Sequence, residues 1–323
     1  MRIVLAGGVG AMPFAGVAWQ VLQYLEGFRR LGHDVFYLED TQRWPYDPVQ
    51  DTVCDDAGPA IAYVARLMER VGLQRAWAYR DVAQGALHGV TEEALVRTLC
   101  DADALINLSG VMVLREEHLC VPTRIYLETD PVLPQIEVAQ GRDFTIEFLG
   151  AHTHHFSYGE NFGSADCGVP VERFHYHPTR PPVILDWWDG GGSPTLDGRA
   201  FTTVANWRQT SKDIDAYRTF IVGSAGEFSV AKEQNVALRS GWFSDRTASY
   251  LAAGRPAIVQ DTGFGCALPT GEGLLAFSTI EEAQAAFAAV QSDYPHHCRA
   301  ARAIASEYLR AETVLGELLT CAC

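Results

Sequence analysis

Apolar residues along this chain fall into two patterns that alternate: short unbroken runs, and longer stretches with helical spacing. RIVLA at 2–6 is an unbroken run, followed by the loop GGVGAMPFAG and then by helically spaced apolar positions from Val17 to Leu31. Gly32 ends that helix, and DVFYL forms a second strand that closes on Glu39 and Asp40. Strand, helix and strand in this order predict the opening of a parallel, doubly wound sheet. Further helices are predicted around Ile61–Val71 and Thr91–Cys100, and further strands at ALINL (104–108) and RIYLE (124–128).

The same alternation resumes after RPPVILDWWDGGGSPTLDGRA, whose Pro and Gly read as a linker. FTTVAN and EFSVA read as strands, Asp213–Val222 and TIEEAQAAFAAV as helices, and Pro295–Leu319 as one or two more. Between them lies SGWFSDRTASYLAAGRPAIVQDTGF (240–264). Ser244 is a good N-cap there, Ala248, Leu251 and Ala252 form an apolar stripe, and Gly254 and Pro256 stop the helix. Ala257–Val259 then reads as a buried strand. The fold class is α/β: two Rossmann-like domains facing across a cleft, at 1–178 and 201–323, joined by a linker at 179–200. QTSK leaves little room between Asn206-Trp207-Arg208 and the helix at Asp213, so the second domain is expected to lack part of its sheet.

Composition narrows the function. A length of 323 residues suits two domains, and a net charge of −15 opposes a large nucleic-acid surface, because phosphate backbones need a basic face. No apolar run reaches the roughly 20 residues of a membrane span, and MRIVLAGG reads as a first strand, not a signal peptide. The eight cysteines (54, 100, 120, 167, 266, 298, 321 and 323) include no CxxC pair. Reduced thiols and a cytoplasmic location are expected.

The glycine loop raises the possibility of a dinucleotide-dependent NAD(P) oxidoreductase. Pro13 stands where that fingerprint needs its third glycine, and Glu39 lies farther on than its acidic residue should. A wide glycine loop can instead face a ligand held by the other domain.

Taken together, the two α/β halves, this loop and SDRTASYLAAGRPAIVQDTGF resemble a GT-B glycosyltransferase. AAGRPAIVQ matches a helix, turn and strand of that family's donor domain, and GEGLLAF followed by TIEEAQAAF resembles its next loop, strand and helix. Where many retaining members carry a second glutamate this chain has Ser249, which leaves the stereochemistry open. The resemblance implies a nucleotide-diphosphate sugar as donor substrate, with no other cofactor and no metal, and a small-molecule or glycan acceptor held by the first domain. It places diphosphate oxygens along Ser240–Thr247, with Ser240, Ser244, Asp245, Arg246 and Thr247 as candidates. Asp261, Thr262 and Gly263 would meet the sugar. Arg239 and Lys232 are further candidate cations for the diphosphate, and Glu227 a further donor-side residue. On the acceptor side the loop offers Gly8, Gly10 and Phe14. A transfer base is expected among Asp130, directly after a strand, and His152, His154 and His155, the densest titratable cluster in the chain. A metal site or a structural interface is the other reading of these histidines. A non-catalytic protein of the same fold, binding a nucleotide sugar or a partner, is the remaining class.

Overall fold

The computed structural model describes residues 1–190, 195–196, 198–203 and 213–323. The expectation of a shortened sheet around Trp207 lies outside the described residues. Two parallel sheets organise the chain. The first contains β1 (Arg2–Ala6), β2 (Asp34–Glu39), β5 (Trp77–Arg80), β6 (Leu87–His88), β7 (Ala104–Leu108), β8 (Thr123–Glu128), β9 (His154–Ser157) and β10 (Tyr176–Pro178). Their order is β10-β9-β8-β7-β1-β2-β5-β6, parallel throughout except for β6. A small antiparallel hairpin, β3 (Tyr46–Asp47) and β4 (Thr52–Val53), stands apart from it. The second sheet runs β11 (Phe201–Thr202), β12 (Gly226–Ser229), β13 (Ala257–Gln260) and β14 (Leu274–Phe277), all parallel.

Eleven α-helices accompany the sheets among the described residues. The first half holds α1 (Ala15–Arg30), α2 (Gly58–Arg70), α3 (Glu92–Cys100), α4 (Leu133–Ala139) and α5 (Asp143–Gly150). The second holds α6 (Ile214–Gly223), α7 (Glu233–Ala237), α8 (Asp245–Ala252), α9 (Ile280–Ser292), α10 (Tyr294–Tyr308) and α11 (Ala311–Ala322). The helix start read at Ser244 is realised: its hydroxyl accepts from the Arg246 amide. Thr279 and Glu282 form a full capping box on α9.

The two halves share one apolar core that runs from Ile3 and Leu22 through Trp188 to Leu251 and Leu315. Trp188, within the Pro/Gly-rich stretch, is fully buried, and its indole donates to Gln23 Oε1 at 3.1 Å. The last helix, α11, returns to pack on α1. Gly27 makes that approach possible, since a Cβ there would lie 2.5 Å from Leu315 Cδ1. In the first sheet the strand order reverses between β1 and β7. Such switch points open a crevice at the carboxyl ends of the strands, where open α/β sheets take ligands.

Among the described residues no helix is long and apolar enough to cross a membrane.

Candidate functional site

The carboxyl end of the first sheet opens on a cavity of about 930 Å³, which Lys232 and Gln234 of the second half help to close. Its walls come from the loop after β2 (Thr41–Arg43), the loop after β7 (Ser109–Val111), the end of β8 (Glu128–Asp130), helices α4 and α5, and Lys232 and Gln234 after β12. Bonds across this cleft tie the two halves together. Asp130 pairs with Lys232, the Trp242 indole donates to the Thr129 carbonyl at 2.9 Å, and Gln234 donates to the Pro131 carbonyl at 3.2 Å. Beside them, Asn161 donates to the Arg239 carbonyl at 2.8 Å.

The most distinctive chemical group in the wall is Glu128. Strand β8 alternates, sending Ile125 and Leu127 into the large core and Tyr126 and Glu128 to the other face. Only 2% of Glu128 is exposed. Its carboxylate accepts from Gln135 (3.1 and 3.0 Å), Ser157 (2.8 Å) and Tyr126 (3.3 Å). Burial outweighs those hydrogen bonds and pushes the carboxyl up to about 7, a value suited to proton transfer near neutral pH. Asp130, expected as a base and two residues farther on, is exposed and paired with Lys232.

The structure does not bring the three histidines to this cavity. His152 donates through Nδ1 to the Phe148 carbonyl (3.0 Å) and accepts at Nε2 from Asn107 (3.1 Å). His155 donates to the Leu149 carbonyl at 2.9 Å, and the half-buried His154 meets Thr153 Oγ1 at 3.0 Å. His152 precedes β9 and His154 and His155 are its first two residues, away from the carboxyl edge, and none lines the cavity. The physical reason is packing: their rings sit among Tyr126, Phe148, Phe174, Tyr176 and His177, with His152 Nδ1 and His155 Nε2 turned to helix α5 and His152 Nε2 to Asn107 on β7. Burial pulls His152 down to about 4.

A stability effect follows from that imidazole. The unfolded chain takes up a proton below about 6.5 that the native His152 refuses until about 4, so this contribution is lost as pH falls through that window. At pH 5 the loss is roughly 2 kcal/mol. His152→Gln is expected to shrink the difference in unfolding free energy between pH 7 and pH 5 by about that amount, measured by urea denaturation. An unchanged difference would show that the ring is not held neutral.

On the second sheet the candidates separate into two groups. Ser240, Ser244, Thr247, Arg239, Asp261, Thr262 and Gly263 gather around Trp242, at the carboxyl ends of β12 and β13. Ser240 donates to Asn235 (2.8 Å), Thr262 to the Trp242 carbonyl (2.6 Å), and the Gly263 amide to Asp261 (2.8 Å). Arg239 pairs with Asp261 at 3.3 Å. Glu227, Asp245 and Arg246 are instead turned inward. Glu227 is fully buried on β12 and accepts from Arg246 Nε at 2.6 Å. Asp245 lies close enough to Tyr24, Tyr158 and Tyr217 to shift their titration, and burial pushes its own carboxyl up. Arg246, a candidate for the diphosphate, is paired here with a buried carboxylate.

The glycine loop is also internally satisfied. Glu39, 1% exposed, accepts from the amides of Gly10 (2.9 Å) and Ala11 (2.6 Å) and from the Tyr37 hydroxyl (2.7 Å). Burial holds its carboxyl up near 7. A pyrophosphate bound as in dinucleotide folds would need these same amides, so the carboxylate stands in its place. Gly10 is required by the fit, because a Cβ would lie 2.8 Å from Tyr79. Gly8 packs beside Val111, and the Phe14 and Tyr46 rings meet at a tilt of 38° with centroids 5.3 Å apart. Elsewhere, Asp40, Glu117 and His118 bring ligand atoms within 4.8 Å of one another, the geometry of a metal site. Arg115 already holds Asp40 by two bonds (2.6 and 3.0 Å), and Arg80 lies at 3.3 Å.

Two parallel α/β sheets whose carboxyl edges face one cleft, with the last helix crossing back to the first half, define a GT-B fold. Solved structures of that fold align with nearly the entire chain. One is Anabaena HepE in complex with UDP-glucose, at 11% identity and a TM-score of 0.60, covering 99% of this chain and 100% of that one. Another is an alpha-glucosyltransferase in complex with UDP-glucose and DNA containing an abasic site, at 10% identity and a TM-score of 0.56, covering 99% and 98%. At such identity the shared property is the fold. No family model matches the chain, and no curated protein matches it.

Proposed function

We propose that this protein is a glycosyltransferase that moves a sugar from a nucleotide-diphosphate sugar to a small-molecule or glycan acceptor. The observation that carries the reading is the cavity itself: it opens at the carboxyl edge of the first sheet, Lys232 and Gln234 of the second half close one side of it, and the buried carboxyl of Glu128 stands in its wall. In this reading the diphosphate lies at the start of α8, near Ser244 and Thr247, where amides and the helix dipole favour an anion. Arg239, Asp261 and Gly263 meet the sugar. Glu128 takes the proton of the acceptor hydroxyl as its oxygen bonds to the sugar's anomeric carbon, the bond from that carbon to the diphosphate breaks, and the nucleoside diphosphate leaves. The HepE and alpha-glucosyltransferase structures hold UDP-glucose, which supports a nucleotide-sugar donor here. One of them also holds DNA; a net charge of −15 opposes a phosphate backbone, which supports a small-molecule or glycan acceptor for this chain.

One observation favours a second reading, a nucleotide-sugar binding protein without transfer. The donor-side cations Lys232, Arg239 and Arg246 are each paired with a carboxylate of the chain, and the space at the start of α8 is about 20 Å³. A thermal-shift screen of nucleotide sugars, free nucleotide diphosphates and NAD(P) tests both readings, because a ligand bound only by the native state raises the melting temperature. Stabilisation by a nucleotide sugar, with slow release of its sugar to water, is the expected outcome. Stabilisation without turnover supports the second reading, and stabilisation by NAD(P) alone overturns both.

A further inference from the structure

Beside the main cavity lies a second one, of about 410 Å³, formed by the glycine loop, the segment after β2 and the β3–β4 hairpin. Its walls are mostly apolar: Met12, Phe14, Trp44, Tyr46, Val53 and Val111. The hairpin is fixed to the loop by the Tyr46 amide, which donates to the Ala11 carbonyl at 3.0 Å. The loop is fixed from below by Glu39, which holds the amides of Gly10 and Ala11. That arrangement ties up the amides of Gly10 and Ala11, and the loop offers the side chains of Met12 and Phe14 to the cavity. Trp44 and Val53 stand at the rim, 52% and 55% exposed. The volume falls within the roughly 300–1,000 Å³ of small-molecule sites.

Thr41, Arg43 and Val111 line both cavities, so a single molecule can occupy them together. We propose that the smaller cavity seats an aromatic ring system carried by the acceptor, an inference that rests on the glycosyl-transfer reading above. The acceptor's hydroxyl-bearing end lies in the larger, more polar cavity toward Glu128, and its rings lie between Phe14, Tyr46 and Trp44. Flat rings suit these walls because offset and edge-to-face contacts with aromatic side chains add to area burial. The substrate class is therefore an aromatic aglycone, and an entirely hydrophilic sugar would leave this pocket unused.

The test uses 2-naphthol as the ring probe and UDP as the donor-side probe, each titrated calorimetrically against the full chain. 2-Naphthol is expected to bind one-to-one, equally well with and without saturating UDP. Val111→Trp, which fills the pocket, and Trp44→Ala, an exposed change that spares the core, should each weaken it at least tenfold while UDP affinity stays within twofold. Absence of saturable 2-naphthol binding, unchanged affinity in both variants, or displacement of 2-naphthol by UDP would overturn the proposal. Saturable, pocket-dependent 2-naphthol binding by a chain that binds no nucleotide diphosphate would sink the UDP-type donor reading and leave the aromatic pocket standing.

Discussion

Glu128→Gln is expected to lower the rate of sugar transfer at least a hundredfold while leaving nucleotide affinity within twofold. The substitution keeps the size of the side chain and its ability to accept from Gln135 and Ser157, so the wall of the cavity should survive. What it removes is the basic oxygen. A positioned general base is worth about 10²–10⁴ in rate, which sets the size of the loss. The pH profile gives a second readout. With its carboxyl near 7, the wild-type rate should rise with pH through about that value as the carboxylate form fills, and that limb should vanish in Glu128→Gln. A variant that keeps full transfer would move the base elsewhere, with Asp130, two residues beyond Glu128 and also in the cavity wall, as the next carboxylate to test.

The second large effect is on stability. Arg246→Ala leaves Glu227 fully buried without its cation. Removing one member of a buried ion pair costs about 3–5 kcal/mol, because the remaining charge is desolvated and uncompensated. Urea denaturation should show a loss of that size. The double variant Glu227→Leu with Arg246→Met should recover most of it, since an apolar replacement of both partners is often neutral. Native stability in Arg246→Ala, joined to lost nucleotide-diphosphate affinity, would instead return Arg246 to the ligand.

These two residues also show what could be read from the sequence and what could not. Local signals carried the fold. The unbroken runs at 2–6, 34–38 and 104–108 are strands, and Ser244, Gly254 and Pro256 mark their helix and turn as read. Helices α4 and α5 went unread because Leu133–Gly150 mixes exposed Leu133 and Phe144 with polar residues, without a clean stripe. Side-chain partners are hidden from the sequence where they lie far along the chain. Arg246 and Glu227 are 19 positions apart and meet only because β12 lies under α8. The histidine cluster drew attention as titratable chemistry, yet packing against Phe148 and Tyr126 decides its role. Glu128 was inside a stretch already singled out, but nothing local distinguishes a carboxylate that burial holds near 7 from the exposed Asp130 two residues on. That difference is made by Gln135 and Ser157, which the fold delivers from two other elements.

The central claim, a nucleotide sugar held at the carboxyl edge of the second sheet, is tested most directly by a crystal structure of the chain soaked with the nucleotide diphosphate that stabilises it most. The diphosphate is expected at the first turn of α8, within hydrogen-bond distance of amides from Ser244 to Thr247, with Glu39 still holding the glycine loop. A diphosphate seated on the loop from Gly8 to Phe14, with Glu39 displaced, would contradict it.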